Sequence, residues 1–244
     1  MHRAAPHLNR RGSRARSETA QAENALFNFW DGRLARFSFA SVIPPVLPQD
    51  ILRQSLRARR RALSAAEQQT AALAVTQRLA DEPDFANVAA IAGYYACQGE
   101  LDPALLLKHA WLADKKIYLP VLAGEALRFA PYQCDAPLRR NRFNIPEPQV
   151  SPTAWRQPFD MDWVLTPLTA FDVTGTRLGM GGGFYDRSFA FLLDPNWRGH
   201  RPRLIGLGYE FQRVNALIRQ LWDVPLDMAI TEKNRYVFAS NGFK

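Results

Sequence analysis

Two periods of apolar spacing take turns along the chain. Short, nearly continuous apolar runs occur at residues 88–95, 116–121, 127–132, 162–171, 204–209 and 228–231, with 235–239 as an edge candidate. Runs of this length bounded by glycine, proline and polar residues predict strands. Between them, apolar residues recur at helical spacing. Ile51, Leu52, Leu56 and Leu63 predict a helix from Asp50, and Ser64-Ala65-Ala66-Glu67 has the form of a capping box opening a second helix to about Leu79. Further helices are predicted from Pro103 to about Ala113, over 185–193 and over 214–221, while 144–148 reads as an extended loop. Strands alternating with helices predict an α/β fold: a three-layer α/β/α open, mostly parallel sheet with right-handed crossovers.

At 244 residues, 47% of them hydrophobic, the chain can bury the core of one ordinary domain, or of one domain plus a tail. The pattern places the boundary near residue 47. Residues 1–47 show no sustained period, carry seven arginines against Glu18, Glu23 and Asp31, and run into the proline-rich stretch 44–48. They are expected to be a basic, mostly disordered extension, with a targeting or RNA-binding arm as the functional alternative. Residues 48–244 are expected to be the folded domain. The net charge of +8, half of it in the extension, suits anionic ligands.

No apolar run is long enough to span a bilayer or to act as a signal segment, so a cytoplasmic protein without a membrane partner is expected. Cys97 and Cys134 stand apart, and His2, His7, His109 and His200 form no ligand spacing or triad. Zinc, redox-pair and histidine-nucleophile chemistry are therefore not indicated.

Glycine is densest in Arg177-Leu178-Gly179-Met180-Gly181-Gly182-Gly183-Phe184-Tyr185-Asp186, directly after an apolar run. A strand feeding a glycine-rich turn and a helix start can cradle phosphate on its backbone N–H groups. Turn geometry alone would also call for glycine, but Arg177 before the cluster and Asp186 after it, the latter a candidate magnesium ligand, favour an anion site. The order of residues excludes a dinucleotide fingerprint, which needs glycine at Phe184, and no Walker loop is present. Arg53, Arg57, Arg60 and Arg61 share neighbouring helical faces, either as a solvated surface or as a phosphate clamp. Glu100 follows a predicted strand, at the edge where open α/β sheets bind ligands; its plainer role is first-turn helix charge.

Residues 177–186, together with Arg53-Gln54-Ser55-Leu56-Arg57, Arg60-Arg61-Ala62-Leu63-Ser64, Gly99-Glu100-Leu101-Asp102, Asn144-Ile145-Pro146-Glu147-Pro148 and Trp222-Asp223-Val224-Pro225-Leu226-Asp227, resemble the motifs of the 5-formyltetrahydrofolate cyclo-ligase family, in the same order. The resemblance implies ATP-dependent cyclisation of 5-formyltetrahydrofolate, with or without a polyglutamate tail, to 5,10-methenyltetrahydrofolate, with magnesium. It assigns ATP binding to Arg53, Gln54, Ser55, Leu56 and Arg57 and to Arg177, Leu178, Gly179, Met180, Gly181, Gly182, Gly183, Phe184 and Tyr185. Folate would meet Tyr95, Glu100, Met180, Gly181, Gly182, Gly183 and Phe184; Arg177 and Tyr185 would be catalytic, and Asp186 and Asp227 would hold metal. A monomer without nucleic-acid partners is expected. The rivals are a sugar-phosphate isomerase or CoA-transferase relative, separated by an ATP requirement, and an RNA-binding protein.

Overall fold

The structure, a computed structural model, describes residues 48–239. The extension expected over residues 1–47 lies outside them. Pro48 leads into helix α1, Gln49–Arg61, whose first turn carries Asp50 and whose last turn carries Arg59, Arg60 and Arg61, each charge opposing the adjacent end of the helix dipole. Helix α2, Ala65–Ala80, starts as the sequence predicts. Ser64 and Glu67 close a capping box, with the Glu67 N–H donating to Ser64 Oγ at 3.3 Å and the Ser64 N–H to Glu67 Oε2 at 2.8 Å.

The remaining elements are β1 (Ala90–Ala92), α3 (Ala104–Leu112), β2 (Lys116–Ala123), β3 (Ala126–Pro131), β4 (Leu138–Arg140), β5 (Pro146–Pro148), β6 (Trp163–Pro167), β7 (Ala170–Phe171), β8 (Arg177–Leu178), α4 (Phe184–Phe189), β9 (Arg203–Leu207), β10 (Met228–Ile230) and β11 (Arg235–Val237). Seven strands form one sheet in the order β11-β10-β9-β6-β1-β2-β3. The inner strands β10, β9, β6, β1 and β2 run parallel, and an antiparallel strand closes each edge.

Side-chain alternation along these strands divides the core in two. Ile91, Trp163, Leu165, Ile205, Met228 and Ile230 face the layer that holds Val75 and Leu79 of α2 and Leu106, Leu107 and Ala110 of α3. Ala92, Val164, Leu204 and Ala229 face the opposite layer, where Phe189 of α4 packs with Phe171, Leu226 and Phe238. Helices cover both faces, and the fold class is the α/β sandwich that the pattern predicts. The second layer is the thinner, because α4 has six residues and gives way to a 3-10 turn at Ala190–Leu193 instead of continuing to 193 as one helix.

Two other expectations change. The segment 214–221 is not a helix: Val214 N–H donates to the Phe171 carbonyl at 2.8 Å, and Leu217 N–H to Asp172 Oδ2 at 2.9 Å, so its backbone is tied to neighbouring loops instead of to itself. The stretch 144–148 contains β5, which pairs with β4 in a small hairpin and is anchored to β2 by Glu147 Oε1, acceptor of the Leu122 N–H at 3.0 Å. Among the described residues no helix is long and apolar enough to cross a membrane.

Candidate active site

Helix α1 and the glycine loop come together across 126 positions of chain, where Arg53 Nε donates to the Gly179 carbonyl at 3.1 Å. Beneath that bond Leu56 packs against Ala170 and Leu178, so α1 is seated on the short β7–β8 hairpin that carries the loop. A cleft of about 400 Å³ opens between them, lined by Asp50, Arg53, Gln54, Arg57, Arg61, Met180 and Gly181. Three guanidinium groups facing a glycine loop form a site for a polyanion. Ser55 is exposed and not part of the lining, while Leu56 and Leu178 are core residues that position the two walls.

The loop's glycines differ in their reasons. Gly181 and Gly183 lie in the left-handed region at φ +98° and +64°. Gly182 does not; a Cβ there would meet the Phe184 ring at 3.0 Å. Gly181 has open space around its Cβ position, which leaves the backbone itself accessible to a ligand. Arg187 Nη2 donates to the Gly182 carbonyl at 2.7 Å and holds the far side of the loop. Since α4 is short, the arginines carry most of the site's positive charge.

Arg177 is not among the residues lining the cleft. Its side chain is 5% exposed, one Nη donates to Asp186 Oδ1 at 2.7 Å and the other to the Val224 carbonyl. Burial lowers its pKa, and the charge of Asp186 opposes that. Asp186 Oδ1 also accepts the Val224 N–H at 3.1 Å, which leaves Oδ2 for any further partner. Asp227 Oδ2 accepts the Leu204 N–H at 2.7 Å where β9 begins, and burial raises its pKa. Among the described residues no group of three or more His, Cys, Asp or Glu is placed to hold a metal ion. The structure therefore joins Arg177 to Asp186 as a latch and does not gather a carboxylate cage.

Glu100 sits where the chain has left β1, 7% exposed, and Tyr95 of the same connection is exposed. Its Oε2 accepts the Cys97 N–H at 3.1 Å and the Cys97 thiol at 3.4 Å. Burial raises the Glu100 pKa, and the Cys97 N–H, Arg60 and Arg57 act against it. Burial likewise raises Tyr185, followed by the charge of Glu100, while Arg177 pulls the other way, so the phenol stays protonated and can donate but not accept a proton at neutral pH. Gln98, at φ +50°, links the two halves of the site: its carbonyl accepts from Arg60 Nε at 3.1 Å and its side chain from Arg57 Nη2.

A basic cleft joined to a glycine loop, with a buried carboxylate alongside, coincides with a family match. The model of the 5-formyltetrahydrofolate cyclo-ligase family matches residues 48–232. The chain belongs to that family. A cyclo-ligase of Haemophilus influenzae is 36% identical over 178 residues, covering 72% of this chain and 92% of that one. A cyclo-ligase of Escherichia coli K12 is 36% identical over 180 residues, covering 72% and 96%. The NMR structure of Aquifex aeolicus 5,10-methenyltetrahydrofolate synthetase superposes with a TM-score of 0.66 at 30% identity, over 78% of this chain and 93% of that one.

Arg60, expected on a solvated face or in a phosphate clamp, is in neither, and Gln98 is absent from the sequence-predicted residues. Arg60 is buried at 1% exposure, and Gln98 carries no signal in a single sequence. Arg60 does carry one, because it lies four residues after Leu56 and three before Leu63, on the apolar face of α1.

Proposed function

We propose that the chain catalyses the ATP-dependent cyclisation of 5-formyltetrahydrofolate to 5,10-methenyltetrahydrofolate, releasing ADP and phosphate. The observation that carries this reading is the cleft in which Arg53, Arg57 and Arg61 of α1 face Met180 and Gly181 of the glycine loop, with Glu100 reached through the Arg57–Gln98 bond.

The formyl amide is a weak electrophile, and phosphorylation of its oxygen by the γ-phosphate of ATP gives an iminium phosphate that N10 can attack, with phosphate as the leaving group. Such a transfer needs positioning and neutralisation of charge more than a protein nucleophile. Arg53, Arg57 and Arg61 supply the neutralising charge, and the open backbone at Gly181 admits the phosphates. Glu100 accepts from the pterin N–H groups, with Tyr95 as a further folate contact and Met180 to Phe184 facing the formyl end. Tyr185 is a protonated donor.

Magnesium enters as the counter-ion of ATP. A hard cation of this kind commonly takes one protein carboxylate and completes its shell with phosphate and water, and Asp186 Oδ2 is the oxygen left for it. Asp227, whose Oδ2 takes the Leu204 N–H, keeps Oδ1 as the second candidate oxygen.

Purified protein incubated with 5-formyltetrahydrofolate, ATP and magnesium should show the near-ultraviolet absorbance of the methenyl product. A folded protein with no ATP-dependent rise overturns the proposal.

A further inference from the structure

Arg60 is withdrawn from water while its neighbours Arg59 and Arg61 are exposed. Taking a guanidinium out of water is costly unless hydrogen bonds and an opposite charge meet it. Here the hydrogen bonds are backbone ones: Nε donates to the Gln98 carbonyl at 3.1 Å and Nη1 to the Leu168 carbonyl at 3.3 Å. Those two carbonyls fix the plane of the group. They belong to the loop that carries Glu100 and to the turn after β6, and Nη2 is buried with no partner among the described residues.

The carboxylate that Arg60 meets is Glu100, whose Oε1 lies 3.8 Å from Nη1. That separation is too long for a hydrogen bond and close enough for a strong charge interaction between two buried groups. Glu100 is thereby held on two sides, with Oε2 on the Cys97 N–H and thiol and Oε1 toward Arg60. Arg60 does not line the nucleotide cleft, where Arg53, Arg57 and Arg61 stand.

We infer that Arg60 is a positioning residue for folate: it acts through Glu100, holding that carboxylate in place and charged, and touches neither the folate nor ATP. This rests on Glu100 being the pterin contact of the proposed function. An ionised carboxylate only accepts hydrogen bonds and so matches the N–H donors of a pterin, whereas a protonated one presents an O–H against them. The other groups acting on Glu100 are Arg57 of α1, Cys97 of its own loop, Tyr94 just beyond β1 and Tyr185 of α4. Burial pushes the Cys97 thiol up to about 11 and both tyrosines above their ordinary range, so these three remain neutral. Glu100 is the group left to titrate, and the two guanidinium groups hold it charged against its burial.

The test compares wild type with Arg60→Met and Arg60→Lys. In Arg60→Met the Glu100 pKa rises and its carboxylate loses its hold, so the KM for 5-formyltetrahydrofolate should increase about tenfold at neutral pH and recover as pH is raised. The KM for ATP should not move. Arg60→Lys keeps the charge and should keep the wild-type pH profile; it stands in for the methionine variant if that one does not fold. An equal increase at every pH, a parallel increase in the KM for ATP, or a pH profile lost in Arg60→Lys overturns the inference. A readout without turnover separates it from the functional proposal. Carbon-13 carboxyl titration, with the Glu100 signal identified by its loss in Glu100→Gln, should show Glu100 ionising at higher pH in Arg60→Met than in wild type, and an unchanged titration sinks the inference whether or not the protein cyclises folate.

Discussion

Arg177 and Asp186 are joined by a charge-assisted hydrogen bond of 2.7 Å that closes the glycine loop into a ring of ten residues, with the guanidinium buried and the carboxylate at its edge. The loop is thereby fixed at both ends before any ligand arrives. Pre-organisation of this kind lowers the entropy lost when a phosphate is bound.

Asp186→Asn should accordingly act on stability first. The amide keeps the shape but leaves Arg177 buried without its counter-charge, a loss of about 3 kcal/mol for a broken buried pair. Urea unfolding should show a lower midpoint with an unchanged slope. A raised magnesium requirement should accompany the loss, and an unchanged midpoint would deny the latch.

Gly181→Ala tests the left-handed turn. At φ +98° a Cβ strains the backbone by roughly 1 kcal/mol although the space around it is open. We expect kcat/KM for ATP to fall about tenfold or more from the shifted loop, with little change in the thermal midpoint. Gly182→Ala, without a positive φ, should act through the Phe184 ring instead and raise the KM for folate.

Arg57 lines the cleft, and its Nε is buried with no partner among the described residues. Arg57→Ala should raise the KM for ATP about tenfold, the size of one lost charge-assisted hydrogen bond. Calorimetric titration with an ATP analogue checks this, and unaltered affinity would return Arg57 to the role of a surface charge.

Asp227→Asn should be stabilising near neutral pH. Burial raises the folded-state pKa of Asp227, so the folded protein binds the proton more tightly than the unfolded one. Wild-type stability therefore falls as pH rises from below the unfolded value through the folded one, and below the unfolded value the group contributes nothing. The unfolding midpoints of variant and wild type should converge near pH about 3 and separate near pH about 7.

The parallel strands were legible because buried strands are continuous apolar runs, and 204–209 or 228–231 have no competing reading. The segment 214–221 misleads because Val214 and Leu217 have helical spacing, yet Asp172 and the Phe171 carbonyl, far away in sequence, take its N–H groups. The β4–β5 hairpin is concealed by Pro146, Pro148 and its exposed arginines, which remove the apolar alternation. At the site, both walls of the cleft are visible in sequence as an arginine helix and a glycine loop. Their meeting depends on Leu56 fitting against Ala170 and Leu178, and side-chain fit across that distance leaves no local pattern. The separate roles expected for Arg177 and Asp186 merge for the same reason: a residue's type shows in the sequence, its partner does not.

The contact between α1 and residue 179 also orders events in time. The first helix of the described fold is synthesised 126 residues before the carbonyl that Arg53 will bind, and closing so long a loop is slow relative to forming the helices and local turns in between. The phosphate cleft is therefore among the last features to assemble. A nascent or prematurely terminated chain that stops short of the glycine loop carries α1 with Leu52 and Leu56 uncovered, an adhesive surface that invites chaperones or proteases until Ala170 and Leu178 arrive to cover it.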